Sequence, residues 1–445
     1  MRILIICSFF PPDTEIGAVK PYMIAKYLSK FGHTVTVLRT GYIKEKADDS
    51  YGDYKKGMEV LTAMGEDSDV AKFERGELIA REQKKKIFKV PKTVDLAARF
   101  ILQPVITLRR IKNKNYYFSF QQNVIDKLKE KNRSFDIVYS TFFELENIFA
   151  GEYASRIFGA KWIMEFRDPI KDTKVINYPG FEVIWNMYAR RVQEHAVKTC
   201  DLCTCVSEGL AAEFRKLNPD SDIRVMYNGY DSSDYLDKNA MTPKDSEYLT
   251  ICYTGTLWGE RIYGLEALLE CISGLITSKK IDKNRIHIHY AGRHSAEALE
   301  ACSRKNLTNV LIDYGYVTRD EAERIQLESD IYLVLSWNTK KSQGVMTGKF
   351  FEGIRAEKPI LSIIYGDVPE SELYLINKKY EYGYCYEMCR KGDEMDRFSA
   401  FLEKMYNEKM QNGRIDYNMN PNLKKKFHYK YISKEFEKWC EEKLI

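Results

Sequence analysis

A chain of 445 residues exceeds what one hydrophobic core supports, so two or three domains are expected. Hydrophobic residues make up 44% and charged residues 30%, the balance of a globular chain, and no apolar run has the length to cross a bilayer. A net charge of +5 calls for no nucleic acid partner.

The opening MRILIICSFFPP has one basic residue, an apolar run and two prolines. A signal peptide shares those features, but the alternation running on into FGHTVTVL reads as a strand–helix–strand unit. The chain is therefore expected to be cytoplasmic. RILIICSFF reads as a strand, GAVKPYMIAKYLSKF as a helix and HTVTVLRT as the next strand. An irregular, charged stretch follows, about 43–130. In it KKKIFKVPK (84–92) and RRIKNKNYY (109–117) bracket the apolar run VDLAARFILQPVITL. Basic residues flanking an apolar helix suit an anionic membrane surface, and a solvated basic face beside a core helix explains them equally well.

The strand FDIVYST, a helix near 144–157, the strand AKWIMEFRD and a helix near 181–199 come next. DLCTCVS, SEGLAAEFRKL and DIRVMYNGYD close the first half as strand, helix and strand end. The polar stretch 231–248 reads as a linker. The alternation then restarts with YLTICYTG, GLEALLECISGLI, RIHIHYAG, SAEALEACSRK, NVLIDYGYV, RDEAERIQLES, DIYLVLSW, KFFEGIRAE and PILSIIYG. ISKEFEKWCEEKLI reads as a closing amphipathic helix. The expected class is α/β, two doubly wound Rossmann-like domains facing across a cleft, with divisions at 1–232, 233–425 and 426–445.

Cys7, Cys252 and Cys385 sit in apolar runs as small core residues do. Cys200 and Cys203 form a C-x-x-C without partner ligands at metal-site spacing, so no metal is expected.

Three loops carry chemistry. SFFPPDTEIGAVKPY brings Gly17 to the first helix, where backbone amides can approach an anion or a sugar. A plain strand–helix turn fits that glycine too, and the spacing departs from the dinucleotide fingerprint. YTGTLWGERIYG ends a strand at Gly255 and sets Arg261 before a helix, within reach of a diphosphate or simply in solvent. In SWNTKKSQGVMTGKFFEG, the stretch Gly344, Val345, Met346, Thr347 and Gly348 leads into a helix whose amides can cap an anion. Lys349 in the first turn is unfavourable unless an anion compensates it. Glu352, nearly one turn on, faces the same side; it suits a ribose diol, or is a plain surface acid.

These segments resemble, in order, the family-four retaining glycosyltransferases of the GT-B fold. ILIICSFFPPDTEIGAVKPYMIAKYLSKFGHTVTVL is similar to that family's opening loop, helix and GH-x-V strand. DLCTCVSEGLAAEF, VMYNGYD, YTGTLWGERIYGLEALLEC and GKFFEGIRAEKPIL resemble its later motifs, and WIMEFRDP resembles a branch with D-F-R-D-P-W. The chain departs from the pattern in three places. Arg167 stands where many relatives have histidine, Gly344 where they have the first glutamate of a Glu-x7-Glu pair, and Thr256 where they have arginine.

The resemblance implies a hexosyltransferase that moves a sugar from a nucleoside diphosphate to an acceptor hydroxyl with retention. It implies that Arg261 and Lys349 hold the diphosphate, Glu352 the ribose, and groups near Tyr316 and Val317 the base. Gly17, Gly255, Thr256 and residues 344–348 would border the donor. Asp168 would face the sugar or acceptor hydroxyl, with Arg167 on the acceptor side in the first domain. No metal or cofactor is implied beyond the sugar nucleotide substrate. The acceptor would be a glycan or lipid-linked glycan of surface polysaccharide or glycolipid assembly, met at the inner face of the plasma membrane. A nucleotide-sugar epimerase of the same fold and an inactive nucleotide-binding protein are the rival expectations.

Overall fold

The apolar run RILIIC forms a strand buried on both faces, as a central strand in a parallel sheet must be. The computed structural model describes residues 1–13, 16–40, 53–64, 92–168, 170, 183–232, 247–390 and 392–445. The basic segment 84–91, residues 14, 15 and 169, and most of the expected linker lie outside the described residues. Two compact units divide the chain: Met1–Val206 with Leu210–Met226 and Ile432–Ile445, and Ser207–Gly209 with Tyr227–Tyr431.

The first unit contains β1 (Arg2–Cys7), α1 (Ile16–Lys30), β2 (Thr34–Arg39), β3 (Met58–Thr62) and α2 (Lys92–Glu130). It continues with β4 (Ile137–Phe142), α3 (Leu145–Phe158), β5 (Lys161–Phe166), α4 (Val183–Thr199), β6 (Leu202–Cys205), α5 (Glu208–Leu217) and β7 (Ile223–Val225). All seven strands run parallel in the order β3-β2-β1-β4-β5-β6-β7. The order reverses between β1 and β4, which makes a switch point there.

The second unit contains β8 (Leu249–Thr254), α6 (Arg261–Thr277), β9 (Ile286–Ala291), α7 (Ser295–Arg304), β10 (Leu311–Asp313), α8 (Arg319–Glu328) and β11 (Ile331–Trp337). It continues with α9 (Gly348–Ala356), β12 (Ile360–Tyr365), α10 (Glu372–Tyr380), β13 (Gly383–Glu387), α11 (Glu394–Asn412) and α12 (Pro421–Phe427). Its six parallel strands run β10-β9-β8-β11-β12-β13, with the switch point between β8 and β11. Alternate residues of β11 serve different cores. Ile331, Leu333 and Leu335 join one cluster, and Tyr332 and Val334 the other, so both sheet faces are covered.

The last helix, α13 (Tyr429–Leu444), counts with the first unit from Ile432 on. Phe436 packs on Tyr139 at 4.9 Å between ring centroids, and His33 Nε2 meets Glu437 Oε1 at 2.8 Å. Measured against the expected divisions, 227–232 and 426–431 fall in the second unit and 432–445 in the first. The described part of the charged stretch contains regular elements that the sequence did not suggest. It holds the edge strand β3, and its apolar run lies within one helix of 39 residues, α2.

Lys20 of α1 is fully buried, and its Nζ lies 2.5 Å from Oε1 of the equally buried Glu165 on β5. Lys20 also donates to the Met226 carbonyl, and the Tyr139 hydroxyl donates to Glu165 Oε2 at 2.9 Å. Burial pushes the Lys20 ammonium down, and Glu165 opposes that push. Removing one partner of such a pair strands the other charge without water, which costs about 3–5 kcal/mol. Lys20→Met should therefore lower unfolding stability by about that much in a urea titration. Lys20→Met/Glu165→Gln should lose less than Lys20→Met alone; an equal or greater loss would show that the pair's charges are not the source.

Candidate functional site

In a parallel sheet the loops at a switch point open away from each other at the strands' carboxyl ends. In the second unit those loops follow β8 and β11, which pair directly through Ile251 and Ile331. Gly255 ends β8, and a Cβ there would lie 2.8 Å from Lys349 Cε. Glycine lets the Lys349 stem cross the end of β8 this closely, whereas a Cβ would push the flexible stem aside. The two loops thus meet through Gly255 and Lys349.

Lys349 occupies the first turn of α9, and its Nζ lies 2.9 and 3.0 Å from the two carboxylate oxygens of Glu352. The anion that compensates the lysine at this helix start is thus Glu352 itself. Glu352 Oε2 also accepts from the Tyr332 hydroxyl at 2.9 Å and from Gln326 Nε2 at 3.0 Å. Gln326 donates in turn to Thr254 Oγ1 at 2.7 Å. Burial pushes the Glu352 carboxyl up, but Lys349, Arg355 and the Tyr332 hydrogen bond outweigh it and hold the group below its ordinary range.

Arg261 opens α6, and its guanidinium carbon lies 5.3 Å from the Trp337 ring centroid and 5.8 Å from that of Trp258. Among the described residues no carboxylate forms an ion pair with it. Both Arg261 and Glu352 act electrostatically on the Tyr253 hydroxyl, which donates to the Thr256 carbonyl at 3.2 Å. Arg261, Lys349, Glu352, Gly255 and Thr256 therefore gather around one switch point.

Gly344 adopts φ +70°, a conformation that favours glycine. The Val345 carbonyl accepts from Ser336 at 2.9 Å, and Met346 packs on the core. Thr347 is the N-cap of α9, yet its side chain caps no amide, and its buried Oγ1 meets no partner among the described residues. Among those residues, a Cβ at Gly348 would meet nothing within 4 Å, so space lies over the first turn.

Other expected residues lie apart. Tyr316 follows the edge strand β10, two strands from β8, and is 76% exposed with Arg293 4.9 Å over its ring. Val317 packs partly into the core. Gly17, Arg167 and Asp168 belong to the first unit. Arg167 Nη1 donates to the Gly17 carbonyl at 2.9 Å, tying the end of β5 to the start of α1. A Cβ at Gly17 would lie 2.8 Å from the Phe9 ring, so packing alone also calls for glycine there. Asp168 is exposed at its surface; the protein mass around it raises its carboxyl, and Arg167 opposes the rise.

Sequence reading missed Tyr332, Gln326, Thr254, Trp258, Trp337 and Arg293. The two tryptophans had a signal, since both sit in or beside the switch-point loops. Tyr332, Gln326 and Thr254 join the site only through folding, and Arg293 lies with Tyr316 apart from it.

The Glu352 carboxyl is lower in the folded chain than its ordinary 4.5. Its contribution to stability is then fully present above that ordinary value and fades as pH falls through the depressed one. The melting temperature gap between wild type and Glu352→Gln should stay constant from about pH 7 to about pH 5 and shrink below about pH 4.5. A gap that widens on acidification would contradict the depressed value.

No family model and no curated protein matches the chain. Solved structures do match it over nearly the full length. A sucrose-phosphate synthase (tll1590) from Thermosynechococcus elongatus gives a TM-score of 0.58 at 9% identity, covering 99% of this chain and 98% of that one. Lipopolysaccharide outer core galactosyltransferase WaaB gives 0.57 at 12% identity and full coverage of both chains. Anabaena Alr3699/HepE, in complex with UDP-glucose, gives 0.56 at 12% identity, covering 99% of this chain and 100% of that one. Likeness at such identities shows the fold, and with its two parallel sheets this chain is a two-domain α/β protein of GT-B architecture.

Proposed function

We propose that the chain transfers a sugar from a nucleoside diphosphate to an acceptor hydroxyl, with retention at the anomeric carbon. The observation that carries this reading is the gathering of Arg261 and Lys349 at the switch point of the second unit, beside the open first turn of α9. The main barrier to sugar transfer is charge growing on the departing diphosphate. Cations and amides already in place lower that barrier without reorganising. Two of the three Lys349 protons serve Glu352, which leaves the third for a phosphate oxygen. Among the described residues Glu352 Oε1 accepts from Lys349 alone, so it keeps a lone pair for a ribose hydroxyl.

In this reading Gly255, Thr256 and residues 344–348 line the donor, and the region of Tyr316 and Val317 takes the base. Gly17, Arg167 and Asp168 serve the acceptor side. The sugar nucleotide is a substrate, and side-chain cations fill the charge-neutralising role that a metal ion has elsewhere. The acceptor is a glycan or lipid-linked glycan of surface polysaccharide or glycolipid assembly, handled at the cytoplasmic side.

A panel of UDP-, GDP- and dTDP-sugars should contain one that raises the melting temperature, since ligand bound to the native state stabilises it. That donor should be consumed by purified protein, and Arg261→Met and Lys349→Met should each slow turnover about 100-fold or more. Proton NMR of the product should show the donor's anomeric configuration. Epimerised donor would favour the epimerase. A melting shift without turnover would favour the inactive binder, and no shift with any nucleotide would overturn the reading.

A further inference from the structure

We propose that the first unit docks on an anionic lipid bilayer through the exposed faces of α2 and α4. This goes beyond the donor reading and does not depend on it. The described inward residues of α2 include Thr107, Gln121, Ile125 and Leu128, all buried. Its outward stripe holds Val105, Leu108, Arg109, Lys112 and Tyr116, at the spacing of one helix face. Val105 is 62% exposed and Leu108 66%, unusual for aliphatic side chains this large.

α4 repeats the pattern. Ile184 and Met187 are 46% and 51% exposed, and Arg190 and Arg191 stand exposed one turn further on. The Arg110 guanidinium lies 5.7 Å over the Trp185 ring, which sets the two helices side by side. Their apolar and basic residues therefore form one surface, not two scattered sets, and an exposed patch of that kind marks an interaction site.

Charge decides the occupant. The outward stripe of α2 carries Arg109 and Lys112 and no acidic residue, while Lys114 turns inward to pair with Glu144 and Glu146. From Val183 to Gln193, α4 likewise has Arg190 and Arg191 and no acid. A face with aliphatic tips, flanking Lys and Arg and an amphipathic tyrosine suits the boundary between anionic headgroups and acyl chains. No described helix is long and apolar enough to cross a membrane, so the contact proposed is one on the surface.

Flotation of the full chain with vesicles decides the matter without any sugar nucleotide. Vesicles with about one third anionic lipid should bind the chain at low salt, and about 0.5 M salt should weaken binding about tenfold or more. Neutral phosphatidylcholine vesicles should bind at least about tenfold more weakly. The variants Lys112→Glu/Arg190→Glu/Arg191→Glu and Leu108→Ser/Ile184→Ser/Met187→Ser should each lose most of the binding while melting as wild type does. No binding at low salt, binding indifferent to lipid charge, or triple variants that bind as wild type does would overturn the proposal. So would a patch variant that abolishes self-association in sedimentation while leaving vesicle binding intact, since the face would then join two copies. If the variants fail to fold, the lipid and salt dependence of the wild type alone settles the question. Loss of vesicle binding with the donor's melting shift intact would separate this surface from the donor site.

Discussion

Every described strand runs parallel to its neighbours, and that constraint arranges most of what the molecule offers. A parallel strand must be followed by a crossover before the chain returns to the same sheet, and the crossover here is usually a helix. Within each sheet the carboxyl ends of the strands therefore lie on one side, and the helices that follow them start there. Loops and helix N-termini, the two features that receive anions, are brought together by topology before any side chain is chosen. The first unit reverses its order beside β1 and the second beside β8, so each has one place where successive loops part. Lys349 and Arg261 sit where they do because they open the helices on either side of the second reversal.

Each unit holds several lysine–glutamate pairs, and two of them, one per unit, differ in what surrounds them. Lys20 and Glu165 are wholly buried, and a carbonyl and a tyrosine hydroxyl complete their contacts. Such a pair adds little net stability but penalises any packing that separates its members. It fixes α1 against β5, which is also where Arg167 meets the Gly17 carbonyl three residues before Lys20. Lys349 and Glu352 are part-exposed, at 29% and 23%, so their pairing is open to exchange with another ion. The first pair is a fastening. The second is a fastening on one side, through Tyr332 and Gln326, and is open to solvent on the other.

The fold was legible because its strands are short apolar runs set between helices, and such runs must be buried on both faces. The elements that escaped reading lack that mark. MEVLT is a half-buried edge strand, and GYCYE mixes tyrosines with an acid. The helices α10, α11 and α12 have mixed surfaces and follow no clear linker signal, whereas the closing helix α13 was legible from its amphipathic pattern. For the candidate site, helix-start chemistry singled out Lys349, Glu352 and Arg261. It did not show that Glu352 would neutralise Lys349, nor that Gln326 would join Thr254 to that carboxylate across 72 residues. Local pattern places a residue on an element. What faces it from another element is settled by packing, and single-sequence periodicity carries no record of it.

The two cations at this switch point are held in different ways, with consequences for the diphosphate that the proposed function gives them to share. Lys349 already meets a carboxylate, so an arriving diphosphate gains less from it than from an unpaired ammonium, and Glu352 is desolvated further as the ligand closes over it. Arg261 lies near the faces of two indoles and meets no carboxylate among the described residues. Aromatic faces hold a guanidinium in orientation without cancelling its charge. Its planar fork is thus restrained before binding, and less freedom is lost when an anion arrives. In the proposed reading, the arginine supplies the attraction for the diphosphate, and the lysine, tied to the Glu352 carboxylate, links phosphate to ribose.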